Sequence, residues 1–495
     1  MLSVQKAPAI SEGPATRVLF VCEDGLLYAE ENKAKLCERI RSFPEFGGKA
    51  EKSYSLAAPA ELPLSRILMV GLGKKEELDS ETLRKAAALA VQAAMQAKES
   101  CLGLHLPDLL PEAQRESLIT AILEGLVLAN YRFDTYKKEA ELRPLERLLL
   151  LTEEEPEAGL SALASRIEAV CTATHQARSW VSMPSNDKRP QAFAHMLATA
   201  AEKEGLGVER LGKKEMEALG FHCLLAVSQG SDAEPALVVL RYTPEKPATR
   251  TVALVGKGVT FDSGGLDLKP PSGMEGMKMD MAGAAAVAAT AMAMARTRPS
   301  FNLVVAIPIV ENMPSATAYR PGDVFMSYAG KSVEVMNTDA EGRLILADTL
   351  AWIAKEEKPD LMVDVATLTG ACMVALGDHI AGIFSEDVGL SHALAAAGDA
   401  TFERCWPMPL PKDYKKLLKS ELADLRNVST SKNGGAITAA LFLKEFVEET
   451  RWVHLDIAGP AYLSKASAYC PAGGSGFGVR LLHRFLSDLE ASGKM

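Results

Sequence analysis

Near-continuous apolar runs in the C-terminal part of the chain constrain its fold more than any other feature. They lie at 237–240, 252–255, 303–307, 361–365 and 453–457. Helical patterns separate them at 283–296, 344–355 and 437–448. Strands that are apolar along most of their length need cover on both faces, as in a mainly parallel sheet flanked by helices. The sequence therefore predicts an α/β fold with a doubly wound sheet, in which ligands bind beyond the carboxyl ends of the strands.

Residues 1–150 show a second, smaller α/β pattern, with short apolar runs and a helical stretch at 80–97. An acidic, proline-containing break at 152–157 and another break at 183–190 flank a further helical stretch. We therefore predict two α/β domains joined by a helix. Their bounds are 1–150 for an N-terminal domain with an assembly or regulatory role, 151–182 for the linking helix and 183–495 for the catalytic domain. A chain of 495 residues exceeds what one ordinary core holds, which agrees with this division.

The spacing of the cysteines and the net charge of the chain indicate its cellular compartment and the partners to expect. The eight cysteines include no CxxC pair, which indicates reduced, buried thiols rather than a disulfide framework or a thiolate zinc site. No apolar run reaches the roughly 18 residues of a membrane span, and the run at 17–22 is too short for a signal core. The net charge of −10 weakens any expectation of nucleic-acid binding. We predict a cytoplasmic protein without a membrane partner.

Glycines and charged residues gather in the first of two segments that point to chemistry. The sequence VGKGVTFDSGG occupies 255–265, and Lys269 and Asp280 follow it. Lys257 comes where the run at 252–255 ends, and the glycines allow tight turns that bring side chains together. Asp280 directly precedes an alanine-rich helical run, so taken alone it is explained best as a helix N-cap.

The second segment, NTDAEGRL at 337–344, places two carboxylates and an arginine before a predicted helix. Asp339 and Glu341 are two residues apart, which separates them on a helix but puts them on one face of a strand. We expect them at the end of a strand that Gly342 interrupts. Together with Arg343 they indicate a site rather than a solvated face.

Charge balance makes these segments a predicted metal centre. Asp262, Asp280, Asp339 and Glu341 supply four negative charges at strand ends, and such a group without a cation would be strongly repulsive. Two divalent ions would balance them, with a neutral Lys257 amine as an additional nitrogen ligand. Oxygen-rich ligation with one amine suits Mn²⁺ or Mg²⁺ and also admits Zn²⁺. Two metals bridged by carboxylates are typical of metal-assisted hydrolysis.

Other catalytic classes find less support in the sequence. The eight histidines are isolated, without HExxH or HxH, and no GxSxG elbow follows a predicted strand. A metallophosphatase or nuclease would also use clustered carboxylates, but it would usually recruit histidines or a basic groove. Neither feature stands out here.

The two segments resemble the leucyl aminopeptidase family, also known as the cytosol aminopeptidase family or peptidase family M17. NTDAEGRL resembles the signature octapeptide of that family, and VGKG with FDSGG resembles its partner segment. Further similarity runs through MDMAGAAA at 279–286, ATLTGA at 366–371, GGAITAALF at 434–442, HLDIAG at 454–459 and GFGVR at 476–480. The similarity covers about 175–485 and is weak before it. It implies a small N-terminal domain, a linking helix and a large catalytic domain, assembled as a homohexamer.

The resemblance implies two divalent metal ions per chain, Mn²⁺ or Zn²⁺, with Mg²⁺ also compatible. Lys257, Asp262, Asp280 and Glu341 would hold one ion. Asp262, Asp339 and Glu341 would hold the other, so that Asp262 and Glu341 bridge the pair.

The resemblance also implies the remaining site residues. Lys269 and Arg343 would be the catalytic residues that bind no metal, and a bicarbonate ion held near Arg343 would act as general base. The pocket for the first side chain of the substrate would use Met277, Thr367 and Gly370.

The activity implied is release of single amino acids, leucine and other apolar residues preferred, from peptides with a free N-terminus during intracellular peptide turnover. Some relatives in this family also bind DNA, which leaves a DNA-binding regulator acting through the N-terminal domain as the alternative. Lys137, Lys138, Arg143 and Arg147 alternate with acidic residues, however, a pattern more typical of a solvated face. A nucleic-acid partner is therefore not expected.

Overall fold

The structure, a computed structural model, describes residues 1–7, 16–57, 66–139 and 142–494. The parts of the predicted domains at 8–15, 58–65, 140, 141 and 495 lie outside the described residues. The chain forms two compact units, Met1–His175 with Lys465–Ala472 and Gln176–Ser464 with Gly473–Met495. The division falls within a long helix, and the start of the catalytic domain at 183 stays a prediction.

The first unit is built on a six-stranded sheet of order β1-β6-β5-β2-β4-β3, in which only β3 and β4 pair antiparallel. The strands are β1 (Leu2–Lys6), β2 (Thr16–Cys22), β3 (Ser53–Ala57), β4 (Arg66–Gly73), β5 (Cys101–His105) and β6 (Arg147–Thr152). The helices are α1 (Glu31–Arg41), α2 (Ser80–Gln96), α3 (Arg115–Ala129) and α4 (Ala158–Ser182), the last of which contains the division between the units.

Local sequence explains the main elements of this unit. The side chain of Asp79 accepts a hydrogen bond from the backbone N–H of Thr82 at 2.7 Å, which caps the first turn of α2. Every residue of β2 is buried, as expected for a strand with cover on both faces. Alanines and leucines of α2 and α3 pack with β2 and β4 in one apolar core.

The second unit is built on a nine-stranded sheet of order β16-β15-β18-β14-β9-β11-β8-β7, with β10 paired to β11. Its strands and those of two small sheets are β7 (Gly207–Leu211), β8 (Ala236–Tyr242), β9 (Thr251–Gly256), β10 (Gly258–Asp262), β11 (Asn302–Asn312), β12 (Val324–Met326), β13 (Ser332–Glu334), β14 (Leu361–Ala366), β15 (Ala381–Phe384), β16 (Cys405–Pro407), β17 (Leu425–Arg426), β18 (Trp452–Asp456), β19 (Tyr462–Leu463) and β20 (Gly473–Gly474).

Helices accompany this sheet along the chain. They are α5 (Pro190–Lys203), α6 (Lys213–Leu219), α7 (His222–Ser228), α8 (Pro271–Met274), α9 (Ala282–Thr297), α10 (Gly342–Glu356), α11 (Gly370–Leu376), α12 (Val388–Thr401), α13 (Gly435–Lys444) and α14 (Val479–Ser492). Short 3₁₀ helices lie at Lys75–Glu77, Glu112–Gln114, Met277–Met279 and Lys412–Leu418.

The five predicted runs are the strands β8, β9, β11, β14 and β18, and the α/β fold class is confirmed. The helices predicted at 283–296 and 344–355 are α9 and α10. The third, predicted to reach 448, ends at Lys444, because the chain turns there: Phe446 N–H bonds to the carbonyl of Leu443, and Glu448 has a φ of 48°.

Parallel strands at the centre of the second sheet end side by side and set up a site. β9, β10, β11, β14 and β18 run parallel, each to its neighbour, so their carboxyl ends share one edge. Lys257 follows β9, Asp262 and Asn312 end β10 and β11, and Thr367 follows β14. This is the edge at which ligands were expected.

The burial of the cysteines and the absence of membrane spans were also predicted from the sequence. All eight cysteines are buried, as the scattered pattern suggested. Among the described residues, no helix combines the length and the apolar character that crossing a membrane requires.

Candidate metal centre

Three buried carboxylates meet at the shared edge of the central strands. One oxygen from each of Asp262, Asp280 and Glu341 lies within 4.8 Å of the others, and each residue is at most 3% exposed. Asp262 ends β10, Asp280 precedes α9, and Glu341 is the residue before α10. The segments picked out in the sequence are therefore brought together by the fold.

Lys257 lies against this cluster and makes three polar contacts through its Nζ. Its Nζ lies 2.8 Å from Oδ1 of Asp280 and 2.8 Å from Oε1 of Glu341, and it donates to the carbonyl of Thr367 at 2.9 Å. Burial by itself lowers the pKa of Lys257, but the carboxylates of Asp280, Glu341 and Asp262 outweigh it and raise that pKa. Without a bound cation, Lys257 is thus an ammonium group that partly neutralises the cluster.

Lys269 stands on the more open side of the same cluster. Its Nζ lies 2.8 Å from Oδ2 of Asp262 and also contacts the carboxylate of Asp339. Its side chain is 15% exposed, compared with 4% for Lys257. The two lysines therefore differ in access to solvent, and Lys269 is the more exposed of the two.

The backbone around Asp339 and Glu341 is not the strand end that the sequence predicted. The strand before them ends at Glu334, so neither residue lies on a strand. Asp339 sits in a turn in which its N–H bonds to Oδ1 of Asn337 at 2.7 Å, and Glu341 has helical φ and ψ at the start of α10. The prediction of one extended face was wrong, because the asparagine side chain stabilises a turn that the period-two pattern ignores.

Asp280 is not a helix cap, although taken alone the sequence favoured that explanation. The N-cap of α9 is Met281, which makes no side-chain cap hydrogen bond. Oδ1 of Asp280 instead accepts from Lys257 and from the hydroxyl of Thr367, the latter at 2.7 Å. Its orientation is therefore set by the cluster rather than by the helix.

Arg343 is buried in the first turn of α10. Its Nη1 donates to the carbonyl of Asn427 at 2.8 Å, while its Nε has no hydrogen-bond partner among the described residues. Burial lowers the pKa of Arg343 to about 10, although Glu341 and Asp456 act in the opposite direction. The group is still cationic at neutral pH, with donors left for an anion.

The residues predicted to hold the substrate side chain lie near the ends of the same strands. Met277 is half-buried in the 3₁₀ turn Met277–Met279, directly before Asp280. Gly370 is exposed and begins α11, three residues after Thr367. Thr367 itself is buried, and its hydroxyl is engaged by Asp280.

Burial and neighbouring charges shift the pKa values of the carboxylates at this site. Burial, reinforced by Glu341, raises the pKa of Asp262 to about 6, against the effect of Lys269 and Lys257. Burial also raises the pKa of Asp280 well above its usual range and raises the pKa of Asp339. For Glu341 burial acts in the same direction, but the two lysines outweigh it and lower the pKa. Added positive charge would stabilise all four ionised carboxylates.

The donor set fits divalent metal ions. Oδ2 of Asp280 and Oε2 of Glu341 are buried without a hydrogen-bond partner among the described residues. Buried carboxylate oxygens are costly unless hydrogen bonds or cations compensate for lost water. Four carboxylates face only two lysines here, which leaves an excess of negative charge for cations to balance.

Two buried asparagines at the site were not found from the sequence. Asn312 donates to Asp262, and Asn427 fixes the turn of the second segment by accepting from the N–H of Met336 and donating to the carbonyl of Asn337. Both are fully buried. The one available signal was the position of Asn312 at the end of an apolar run, whereas nothing local distinguishes Asn427.

Comparison with known proteins matches both parts of the chain to one family. The catalytic domain of the cytosol aminopeptidase family (peptidase M17) matches residues 175–483, and its N-terminal domain matches residues 23–140. The N-terminal match goes beyond the weak similarity visible in motifs.

Relatives and solved structures agree with this match over nearly the whole chain. A probable cytosol aminopeptidase of Geobacter sp. (strain M21) is 44% identical over 90% of this chain and 91% of its own. One from Roseiflexus castenholzii (strain DSM 13941 / HLO8) is 41% identical over 93% and 95%.

Two solved structures share the fold. The bottromycin maturation enzyme BotP in complex with Mn has a TM-score of 0.85 at 35% identity, covering 97% of this chain and 100% of that one. A mutant of tomato leucine aminopeptidase has a TM-score of 0.86 at 31% identity, covering 98% and 95%. With its buried carboxylate cluster and these matches, the chain belongs to the cytosol aminopeptidase family and is a metal-dependent aminopeptidase, a hydrolase of peptide bonds.

Proposed function

We propose that Lys257, Asp262, Asp280, Asp339 and Glu341 hold two divalent metal ions. Asp262 and Glu341 would be shared, with Lys257 and Asp280 completing one site and Asp339 the other. The observation that carries the proposal is the pair of buried oxygens, Oδ2 of Asp280 and Oε2 of Glu341, which find no hydrogen-bond donor among the described residues and lie in a cluster of three carboxylates.

Mn²⁺ is the ion we favour, with Zn²⁺ and Mg²⁺ as compatible ions. Carboxylate oxygens with one amine suit all three, and the structure of the related BotP was solved with Mn. When bound, such ions supply a water of lowered pKa and polarise the scissile carbonyl. Lys257 would join the ligands only as a neutral amine, because an ammonium nitrogen has no free lone pair.

The proposed substrates are peptides with a free N-terminus. In its neutral form a free α-amine would be able to ligate one of the proposed ions, whereas the nitrogen of an N-terminal amide is a poor ligand. This property provides a physical reason for releasing single residues from the end of a chain.

Lys269 is proposed as a catalytic residue that stabilises negative charge on the substrate. Its present partners, Asp262 and Asp339, are also the proposed ligands. With those carboxylates neutralised by the proposed ions, the ammonium group would be available to donate to the carbonyl oxygen that becomes negative during hydrolysis. A preplaced donor of this kind typically contributes a large part of the rate enhancement.

Arg343 is proposed to hold bicarbonate, which would act as the general base. One Nη of its guanidinium is fixed by the carbonyl of Asn427, and the remaining donors include Nε, which has no partner in the described part of the chain. A planar guanidinium binds a planar oxyanion through two parallel hydrogen bonds. Asn427 thereby sets the orientation in which the anion is received.

We further propose that Met277, Thr367 and Gly370 line the pocket for the first side chain, with leucine and other apolar residues preferred. The hydroxyl of Thr367 is held by Asp280, so this residue would contribute its shape rather than a hydrogen bond. Similarity to leucine aminopeptidase supports the apolar preference.

Assembly as a homohexamer, location in the cytoplasm and a role in intracellular peptide turnover complete the proposal. They rest on the family and on the names of the relatives, which are cytosol aminopeptidases.

Reconstitution tests the proposed function. Full-length protein is stripped with a chelator, and hydrolysis of Leu-amide and Cys-Gly is followed before and after addition of Mn²⁺, Zn²⁺ or Mg²⁺. We expect stripped protein to remain folded, because the apolar core of the second unit lies outside the cluster, and to regain activity with the metal. Full turnover by stripped protein would refute the metal centre.

A further inference from the structure

Asn312 touches the candidate metal centre without being one of its ligands. It is the last residue of β11 and is fully buried. Its strand runs parallel to β10 with Asn312 in register with Asp262. The amide Nδ2 donates to Oδ1 of Asp262 at 2.8 Å and to the carbonyl of Thr338 at 3.0 Å. One side chain thus joins the two segments that carry the ligands.

The backbone of Asn312 also contacts the residue that follows Asp262. Its carbonyl accepts from the N–H of Ser263 at 3.0 Å and from the hydroxyl of Ser263 at 2.7 Å. A β-carbon at position 265 would lie 2.9 Å from Oδ1 of Asn312, so only glycine leaves space for the amide there. The side chain of Asn312 is therefore confined on both sides, and its donors have a fixed direction.

This arrangement determines which oxygen of Asp262 can meet a cation. Oδ1 accepts from the N–H of Gly264 at 2.9 Å and from Asn312, which occupies its two lone-pair directions in the carboxylate plane. Oδ2 faces Lys269 instead, at the mouth of the cluster. A neutral amide donor is suited to this task because it orients the carboxylate without competing with the metals for it.

We propose that Asn312 is a positioning residue of the metal centre, which orients Asp262 so that its Oδ2 is directed toward the proposed ions. The inference rests on the proposed function, since Asp262 is a ligand only in that proposal. Groups that orient metal ligands in this way typically contribute about 10- to 100-fold in metal affinity.

The chain offers a matched control for this role. The hydroxyl of Tyr319 donates to the same Thr338 carbonyl at 2.7 Å, and Tyr319 is also buried. Tyr319→Phe removes one hydrogen bond from that carbonyl and none from Asp262. Comparison of Asn312→Ala with Tyr319→Phe therefore isolates the contact with Asp262.

The experiment is a titration of stripped, full-length protein with Mn²⁺, repeated with Co²⁺ to record its visible absorption spectrum. For Asn312→Ala we expect the apparent Kd for Mn²⁺ to rise about 10- to 100-fold and the Co²⁺ spectrum to change. Tyr319→Phe should match the wild type in both. Asn312→Leu keeps the approximate shape and removes the donor without adding charge, so it should show the same losses if Asn312→Ala does not fold.

Two outcomes would overturn the role of Asn312, and a third would refute the proposed function. A merely structural role would lower the melting temperature of stripped and loaded protein equally, and it would leave the Kd and the Co²⁺ spectrum unchanged; that result would overturn the proposal. Equal losses in Tyr319→Phe would overturn it too, because the Thr338 carbonyl would then explain them. If Asp262→Ala retained wild-type metal binding, the proposed function itself would fail.

Discussion

The side chain of Lys257 crosses the backbone of Gly342 so closely that a β-carbon at position 342 would lie 2.6 Å from Cε and 2.8 Å from Nζ of that lysine. Lys257 cannot move aside freely, because its Nζ contacts Asp280, Glu341 and the Thr367 carbonyl. The glycine of the second segment thus permits the lysine of the first segment to reach the carboxylates.

Gly342→Ala should therefore disturb Lys257 and weaken the metal centre. We expect the apparent affinity for Mn²⁺ to fall by about tenfold or more, the effect typical of losing support for a ligand. Gly159→Ala is the matched control, since Gly159 also lies in the first turn of a helix and a β-carbon there would meet nothing within 4 Å. Equal affinities in both variants would contradict the dependence of the metal centre on the close approach of Lys257 to Gly342.

Acetylation of the substrate should abolish cleavage. A free α-amine in its neutral form would be able to ligate one of the proposed ions, whereas an acetylated N-terminus is an amide and a poor ligand. Rates on free and acetylated Leu-peptides of the same length provide the measurement. Comparable rates would indicate an endopeptidase and contradict the proposed substrate class.

Arg343→Ala should damage turnover much more than metal content. The guanidinium is cationic and binds no metal, so its loss removes the proposed seat of bicarbonate. We expect a decrease in kcat of about 10²- to 10⁴-fold, the usual size of a general acid–base contribution. Activity on Leu-amide with and without added bicarbonate checks this, and a variant with wild-type turnover would exclude Arg343 from catalysis.

Buried His105 should make the stability of the protein depend on pH. Burial lowers the pKa of His105 to about 3, with Lys33 and Arg17 acting in the same direction. An unfolded chain binds this proton near pH 6.5, so the stability is present above that pH and is lost as the pH falls toward 3. Between pH 7 and pH 5 the free energy of unfolding should decrease by about 2 kcal/mol from this group.

Urea unfolding of wild type and His105→Leu at the two pH values isolates this contribution. The variant carries no titratable group at position 105, so its stability should fall less between pH 7 and pH 5. Identical decreases in both proteins would show that His105 binds its proton equally well in the folded and the unfolded state.

The sequence predicted the sheet and the ligand candidates because both depend on local patterns. Apolar runs identify buried strands, and charged residues at the ends of such runs fall at one edge of a parallel sheet. Lys257 and Asp262 were located in this way. The fold brings Glu341 into the carboxylate cluster and Asp339 against Lys269, but their local geometry depends on Asn337 and Asn427, which stabilise a turn in place of a strand.

Contacts between segments that are distant in the sequence could not be predicted from local patterns. Asn427 fixes Arg343 across a sequence separation of 84 residues. The hydroxyl of Thr367 reaches Asp280, so a residue expected only in a substrate pocket also supports the cluster. Asn312 was missed because an amide at the end of a strand has no charge to mark it. Such groups become recognisable only when the fold shows which carboxylate they contact.

Metal content per chain tests the central claim most directly. Stripped wild type, Glu341→Ala and Arg343→Ala are dialysed against Mn²⁺, and the bound metal is measured by elemental analysis. We expect two ions in wild type and Arg343→Ala and at most one in Glu341→Ala, which loses the carboxylate proposed to bridge the pair. Two ions retained by Glu341→Ala, or fewer than two bound by wild type, would contradict the dinuclear centre.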